Sequence, residues 1–171
     1  MPILTILEYP DPKLKQKSEE VADFGKAFQK IVDDLFETMY HDPHGIGLAA
    51  PQVGIRQRVV VIDMTANEKK QPICLVNPVI VEKSSELCED FEGCLSVPGV
   101  YEKVMRHKQI KVEAFDRHGK KIIFDDDTYF ARCIQHEMDH IDGILFIDLL
   151  SSLKRHRVIQ KLKKIRAQKH L

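Results

Sequence analysis

The amino-acid sequence predicts one domain in which α-helices and β-strands are mixed. Apolar residues recur every three or four positions from Phe28 to Met39, which is the pattern of an amphipathic helix. Between Ile110 and Ala114, apolar and charged residues alternate, as in a strand with one buried face. A further helical segment carries two histidines four positions apart. A chain of 171 residues fits a single domain, residues 1–171.

The composition is that of an ordinary soluble protein. Lys and Arg together number 26, as do Asp and Glu, and hydrophobic residues make up 43%. No apolar run is long enough to span a bilayer, and the N-terminus lacks the basic start and apolar segment of a secretory signal. We therefore expect a cytoplasmic protein without membrane contact. We also expect a monomer, although no sequence feature decides the oligomeric state. Four cysteines without regular spacing do not indicate disulfides in this compartment, so at least one is available as a thiolate ligand.

The first half of the chain is predicted to form a helix followed by strands. The helix has Asp23 as its candidate N-cap and should end before Pro43, since proline cannot continue a helix. Apolar runs then predict strands at residues 58–63, 73–76 and 79–81.

The second half is predicted to form a hairpin, the histidine helix and a terminal helix. The hairpin spans residues 103–124, with a turn at residues 117–119. Asp126 and Asp127 can cap the helix that follows, and Gly143 suits its C-terminal end.

The last segment, residues 151–171, is strongly basic. It contains eight Lys or Arg and no acidic residue; subtracting these eight from 26 leaves the rest of the chain with 18 basic against 26 acidic side chains. Val158, Leu162 and Ile165 share one helical stripe, which predicts an amphipathic C-terminal helix. This helix either docks on its own domain with a solvated charged face or contacts nucleic-acid phosphate in a salt-dependent way.

Two stretches in the middle of the chain have an unusual composition. Residues 45–52, GIGLAAPQ, combine small residues with Gln52, whose amide can donate to an anionic oxygen. The lysine and hydroxyl residue of a P-loop are missing, and by itself the stretch is equally consistent with a tight turn entering a strand. Residues 92–98, EGCLSVP, place Cys94 beside a glycine that gives the backbone freedom.

The sequence QHEMDH, residues 135–140, indicates metal chemistry. Successive helix residues advance by about 100° and about 1.5 Å, so His136 and His140 lie on the same face and can bind one metal ion. Glu137 then lies where it can handle the proton of an attacking water. The alternative is a chance pairing in a chain with eight histidines, which would not explain the intervening glutamate. We therefore predict a metal-dependent hydrolase.

A catalytic site of this type usually has three protein ligands and one open position. Cys133 is one turn before His136, but a metal between the histidines would lie about 7 Å along the axis from Cys133, beyond the reach of a cysteine, which is about 4 Å. Cys133 is therefore expected to line the adjoining pocket. The third histidine of the metzincin pattern is replaced by Phe146, and no glutamate follows His140, so the third ligand must lie upstream. Cys94 is the best candidate.

The motifs GIGLAAPQ, EGCLS and QHEMDH occur in the order typical of peptide deformylases, and the sequence resembles that family over essentially its whole length. The resemblance implies an α+β fold in which small β-sheets pack around a central metal-binding helix, with an N-terminal and a C-terminal helix in addition. It implies an enzyme that removes the formyl group from the N-terminal formylmethionine of nascent polypeptides. The basic C-terminal helix resembles that of bacterial members, in which this helix docks on the ribosome near the exit tunnel.

The resemblance also implies a role for individual residues. Cys94, His136 and His140 would bind the metal, and Glu137 would act as general base and then as general acid. The formyl oxygen would be stabilised by the metal, the Gln52 amide and the Leu95 backbone N–H. For substrate binding, the resemblance implies that the backbone of Ile46 and Gly47 would pair with the peptide. It also implies that the methionine pocket would be bordered by Ile46, Glu92, Tyr129, Cys133 and His136.

One position departs from the family pattern, and a second residue near the pocket has an open effect. Tyr101 stands where related enzymes often place an arginine near the substrate backbone, and Arg132 lies near the pocket. Both leave the peptide preference beyond methionine open.

The ligand types suit zinc, iron or nickel. The resemblance implies one ion per chain, with Fe2+ as the native ion and Zn2+, Ni2+ or Co2+ as replacements in purified protein. Two other classes of protein fit the sequence less well. A metallopeptidase cutting internal bonds is disfavoured because the downstream ligand is missing. A noncatalytic, metal-stabilised nucleic-acid binder would close the fourth position with a protein ligand and would not need Glu137 or Gln52.

Overall fold

The computed structural model describes residues 2–65 and 70–169. It confirms the α+β fold, with small antiparallel sheets around the helix that carries the histidines and one further helix towards each end of the chain. The helices are α1 (Lys26–His41), α2 (Tyr129–Ile141) and α3 (Ser152–Lys169). The strands are β1 (Gly47–Ala49), β2 (Val59–Ile62), β3 (Ile73–Lys83), β4 (Leu87–Cys94), β5 (Val97–His107), β6 (Ile110–Phe115) and β7 (Lys121–Asp126).

The larger sheet has five strands in the order β1-β2-β3-β6-β7. All four residues of β2 are buried, because its alternate side chains meet different helices. Val60 and Ile62 pack in one cluster with Ile134 of α2, whereas Val59 and Val61 pack in another with residues of α1. The sheet is therefore covered on both faces near β1, and β1 itself lies against α2.

The smaller sheet is the hairpin of β4 and β5, which was not predicted from the sequence. The burial pattern of this hairpin is unusual: the charged Glu92 and Arg106 on the inner face are 3% and 6% exposed, whereas the aromatic Phe91 and Tyr101 on the outer face are 53% and 58% exposed. Strand prediction assumes that apolar residues point inwards. Buried charges on this face therefore concealed the strands.

Helix α3 docks on the smaller sheet. Val158 and Leu162 are buried and Ile165 packs beside them, so the predicted stripe is the docking face. The helix contacts β5 and the short 3₁₀ helix Phe146–Leu149. The predicted end of this helix at residue 171 lies outside the described residues. Among the helices in the described ranges, none is both long and apolar enough to cross a membrane.

The predicted N-caps of α1 and α2 were wrong. The N-cap of α1 is Gly25, and the Asp23 carboxylate accepts the Gly25 backbone N–H at 2.8 Å. The N-cap of α2 is Thr128, so neither Asp126 nor Asp127 is the cap, although Asp126 supports it by accepting the Thr128 backbone N–H at 2.8 Å. A short aspartate side chain readily binds the N–H two residues on, which here precedes each helix.

The predicted ends of both helices are confirmed. Helix α1 ends at His41, before Pro43. Gly143 follows α2 with φ of 78°, and its N–H donates to the His140 carbonyl at 3.0 Å. A left-handed residue at this position is a common way to end a helix.

Two strand predictions also change. Residues 103–107 belong to β5, so the predicted hairpin begins only at Ile110 and consists of β6 and β7. The two predicted segments at 73–76 and 79–81 form the single strand β3, which contains an irregularity at Asn77, with φ of 50°.

Candidate active site

Three potential metal ligands converge between α2 and β4. His136 and His140 lie on consecutive turns of α2, and Cys94 is the last residue of β4. The Cys94 Sγ lies 3.3 Å from the His140 Nε2, and one ligand atom from each residue lies within 4.8 Å of the others. A thiolate and two imidazoles suit a divalent transition metal, and three protein ligands leave a position open for reactants.

Glu92 orients one of these ligands. Its Oε1 lies 2.8 Å from the His136 Nδ1, and an Nδ1 proton donated to it leaves the Nε2 lone pair for a metal. Arg106 donates to both carboxylate oxygens at 2.8 and 2.9 Å, and Arg132 donates to Oε2 at 2.7 Å. Burial opposes the charge, but hydrogen bonds from Arg106 and His136 outweigh it and hold the pKa of Glu92 well below its usual value. Glu92 therefore remains an acceptor.

Glu137 is a buried carboxylate that faces the ligands. Its Oε1 lies 4.0 Å from the His136 Nε2, and its Oε2 has no hydrogen-bond partner among the described residues. Burial raises the pKa of Glu137 to about 7. A carboxyl group that titrates near neutrality is suited to accept a proton and return it.

Gly47 allows β1 to approach this carboxylate. A Cβ atom at Gly47 would lie only 2.9 Å from the Glu137 Oε1 and 3.2 Å from its Cδ. Because Gly47 has no side chain, there is room for the Glu137 carboxylate at its observed position.

The Gln52 amide is held at both ends. Its Oε1 accepts the Ala49 backbone N–H at 2.9 Å, and its Nε2 donates to the Ser96 Oγ at 3.0 Å and lies 3.5 Å from the Cys94 Sγ. Leu95 follows Cys94 and lines the same cleft. The structure thus brings Gln52 and Leu95 to the Cys94 side of the ligand cluster.

A cleft of about 330 Å³ leads to the ligands. Tyr101 lies at its exposed rim. A narrower side cavity opens beside Glu137, and Arg132 and Gly47 line part of it. The rest of its lining consists of the residues expected around a methionine pocket, which are Ile46, Glu92, Tyr129, Cys133 and His136.

Cys133 lies in this side cavity and not in the ligand cluster. Burial raises the pKa of its thiol to about 12, so the thiol stays protonated at neutral pH. Tyr129 lies at the edge of the cavity, where its hydroxyl donates to the Phe91 carbonyl at 2.8 Å and joins α2 to β4.

Sequence reasoning missed three residues that support the site. Arg106 links Glu92 to Asp139 of α2, where its Nη1 donates to the Asp139 Oδ2 at 2.5 Å, and Ser96 accepts from Gln52. Asp139 lies inside the QHEMDH motif, which is a signal that sequence reading could have used. Ser96 lies inside the EGCLS motif and offers a similar signal, whereas Arg106 acts through contacts with residues distant in sequence, for which no local pattern exists.

A thiolate and two imidazoles beside an unpaired, buried carboxylate define the class of this protein: a metal-dependent hydrolase. Comparison with known proteins gives the family. The model of the polypeptide deformylase family matches residues 3–156. The chain belongs to the polypeptide deformylase family, whose members are metal-dependent enzymes that remove the formyl group from N-terminal methionine.

Individual relatives agree over nearly the whole chain. The peptide deformylase of Saccharophagus degradans is 48% identical over 164 residues, which are 96% of this chain and 94% of that protein. The peptide deformylase of Neisseria gonorrhoeae is 47% identical over 170 residues, 99% of each chain. A crystal structure of a peptide deformylase from Legionella pneumophila superposes with a TM-score of 0.93 at 41% identity, covering 99% of this chain and 98% of that one. The predicted family and reaction are confirmed.

Proposed function

We propose that this chain deformylates N-formylmethionyl peptides with Glu137 as the group that transfers the proton. The observation that carries the proposal is the unpaired, buried Glu137 Oε2 beside the convergent Cys94, His136 and His140. Glu137 accepts a proton from the water that attacks the formyl carbon. It then delivers this proton to the nitrogen of the leaving amine, which releases formate and a peptide with a free N-terminus.

Cys94, His136 and His140 would hold one divalent ion. The convergence of their donor atoms and the Glu92 contact to the far nitrogen of His136 support this assignment. When bound, the ion supplies Lewis-acid polarisation and lowers the pKa of water. A mixed thiolate and imidazole donor set accepts Fe2+, our proposal for the native ion, as well as Zn2+, Ni2+ or Co2+ in purified protein.

Gln52 and Leu95 stabilise the charge that develops on the formyl oxygen. The two contacts of the Gln52 amide fix its orientation before substrate arrives, and the Leu95 backbone N–H adds a second donor. Donors held in place in this way need no reorganisation during the reaction.

The peptide lies in extended form along β1, the edge strand of the larger sheet. Its pairing with β2 uses one side of β1, and the Ile46 carbonyl accepts the Asp63 N–H at 2.9 Å on that side. We propose that the remaining backbone groups of Ile46 and Gly47 pair with a peptide on the other side. The methionine side chain then enters the side cavity bordered by Tyr129 and Cys133. A thiol and an aromatic ring suit a thioether.

The test is formate release from a short formylmethionyl peptide by anaerobically prepared, Fe2+-loaded protein, beside the Glu137→Gln variant. Glutamine keeps the shape of the side chain but cannot accept the proton, so we expect kcat to fall by about 10²- to 10⁴-fold. Metal content is measured in both proteins. Equal release by both would contradict the role of Glu137. No release by the metal-loaded parent would contradict the reaction, and cleavage of internal bonds would favour a metallopeptidase.

We also propose that α3 contacts the ribosome near the exit tunnel, and that the protein acts there as a cytoplasmic monomer. Six of the eight basic side chains of α3 are exposed, whereas Val158 and Leu162 hold the helix on β5. The charged face is therefore available to RNA phosphate.

Deletion of residues 154–171 should lower ribosome affinity and spare hydrolysis of short peptides. The deletion also removes the buried Val158 and Leu162, so a second variant with Arg157, Lys161 and Lys164 changed to Gln tests charge alone. Co-sedimentation with ribosomes at rising salt measures both. Unchanged affinity in the charge variant would contradict the proposal.

A further inference from the structure

Arg132 is a buried arginine to which the proposed reaction gives no role. It lies in the first turn of α2 and is 3% exposed. Its Nη1 donates to the Glu92 Oε2 at 2.7 Å and to the Val104 carbonyl at 2.8 Å. Its Nη2 donates to the Cys88 carbonyl at 2.8 Å. One side chain of α2 therefore holds both strands of the β4–β5 hairpin.

Glu92 connects Arg132 to the ligand cluster. Arg132 and His136 lie one turn apart on α2, and the Glu92 carboxylate bridges them, with Oε2 towards Arg132 and Oε1 towards His136. Cys94 follows Glu92 by two residues on β4. A single carboxylate thus aligns the strand that carries Cys94 with the helix that carries both histidines.

Arg106 also binds Glu92 but holds it differently. It extends from β5, shares the Glu92 Oε1 with His136, and directs its remaining nitrogen to Asp139. Arg132 is the donor from α2 that binds Oε2, and two backbone carbonyls fix its guanidinium. Without Arg132, the Glu92 carboxylate keeps both bonds from Arg106 but loses the bond that ties Oε2 to the first turn of α2, and that turn loses its links to both strands of the hairpin.

We propose that Arg132 is a positioning residue that sets the arrangement of Cys94 and His136 through Glu92. Its loss loosens the orientation of the His136 ring and the spacing between β4 and α2. We expect weaker metal binding and a changed ligand field, because groups that orient a metal ligand typically contribute about 10- to 100-fold to metal affinity. The inference rests on the metal site of the proposed function.

The experiment compares the parent with Arg132→Met, Arg132→Lys and Arg117→Met. Methionine keeps an unbranched side chain without donors, and lysine keeps the charge but not the fork that reaches Glu92 and two carbonyls together. Arg117 is the matched control, since it ties the β6–β7 turn to α1 through Gln29 and Asp33, away from the ligands. Circular dichroism checks folding, chelator competition measures Zn2+ and Co2+ affinity, and the visible spectrum of the Co2+ form reports ligand geometry.

We expect Arg132→Met to bind metal about 10- to 100-fold more weakly than the parent and to show an altered Co2+ spectrum. The metal affinity of Arg132→Lys should lie between those of Arg132→Met and the parent. Arg117→Met should match the parent in both measurements. A folded Arg132→Met with parental affinity and spectrum would overturn the inference. If Arg132→Met does not fold, Arg132→Lys decides by the same criterion. Failure of the parent itself to bind one metal ion would instead overturn the proposed metal site.

Discussion

Replacement of Gly47 by alanine should displace the Glu137 carboxylate, the proposed proton carrier, without disturbing the proposed metal ligands. The new Cβ would lie 2.9 Å from the Glu137 Oε1, whereas ordinary contacts begin at 3.4 Å, so the carboxylate must move by about 0.5 Å. Glu137 is 5% exposed and its Cγ and Cδ are each 3.2 Å from the same point, so the side chain cannot swing into solvent. The backbone of Gly47 does not have a positive φ, so alanine adds no conformational strain there.

The expected loss follows from the displacement. A misplacement of about 1 Å at a reacting group can cost about 10²-fold in rate, so a shift of about half that size should lower kcat by about 10-fold. Steady-state formate release measures kcat, and metal analysis with thermal unfolding shows whether the ligand site and the fold are intact.

Gly25→Ala is the matched control for this experiment. Its Cβ would also lie 2.9 Å from a carboxylate oxygen, that of Asp23, but this side chain is exposed enough to turn away. We expect its kcat to equal that of the parent. Parental kcat in a folded, metal-loaded Gly47→Ala protein would refute the argument that Gly47 makes room for Glu137.

Three further outcomes are expected. Gln52→Leu should lower kcat by about 10²- to 10³-fold at unchanged metal content, and a loss below threefold in formate release would count against an oxyanion role. Leu162→Ala should lower the free energy of unfolding, measured in urea, by about 2–5 kcal/mol, because this buried side chain docks α3. The control Lys164→Ala changes an exposed side chain and should alter this free energy by less than about 0.5 kcal/mol. Equal effects of the two substitutions would mean that α3 does not dock as described. The pKa of Cys74 and of Cys133 is raised to about 12 by desolvation, so at pH 8 both thiols should react with iodoacetamide far more slowly in the native protein than in urea, and faster as pH rises. Equal native and unfolded rates, measured by mass spectrometry, would contradict the raised pKa values.

The sequence correctly predicted the helices and strands in which apolar residues recur at regular spacing. The apolar spacing from Phe28 to Met39 predicted α1, whose buried residues include both. The alternation from Ile110 to Ala114 predicted β6, in which the apolar positions are buried. Both predictions succeeded because the apolar side chains of these elements do face the core.

The β4–β5 hairpin shows where this reasoning fails. Its inner face buries Glu92 and Arg106, which no hydrophobic pattern marks as interior. These charges are stable there because they bind each other and because Arg132, His136 and Asp139 bind them as well. Interior charges of this kind depend on partners from other elements, so their burial cannot be read along one strand.

The sequence by itself determined that a hydrolytic metal site exists and where its helix lies. The spacing of His136 and His140 around Glu137 is a property of one helix, whose geometry is the same in any fold. It also excluded Cys133 as a ligand by distance along that helix. The tertiary structure alone decided how Cys94 reaches the histidines and how Glu92 is held between two arginines, because these contacts join residues 14 to 46 positions apart in the chain.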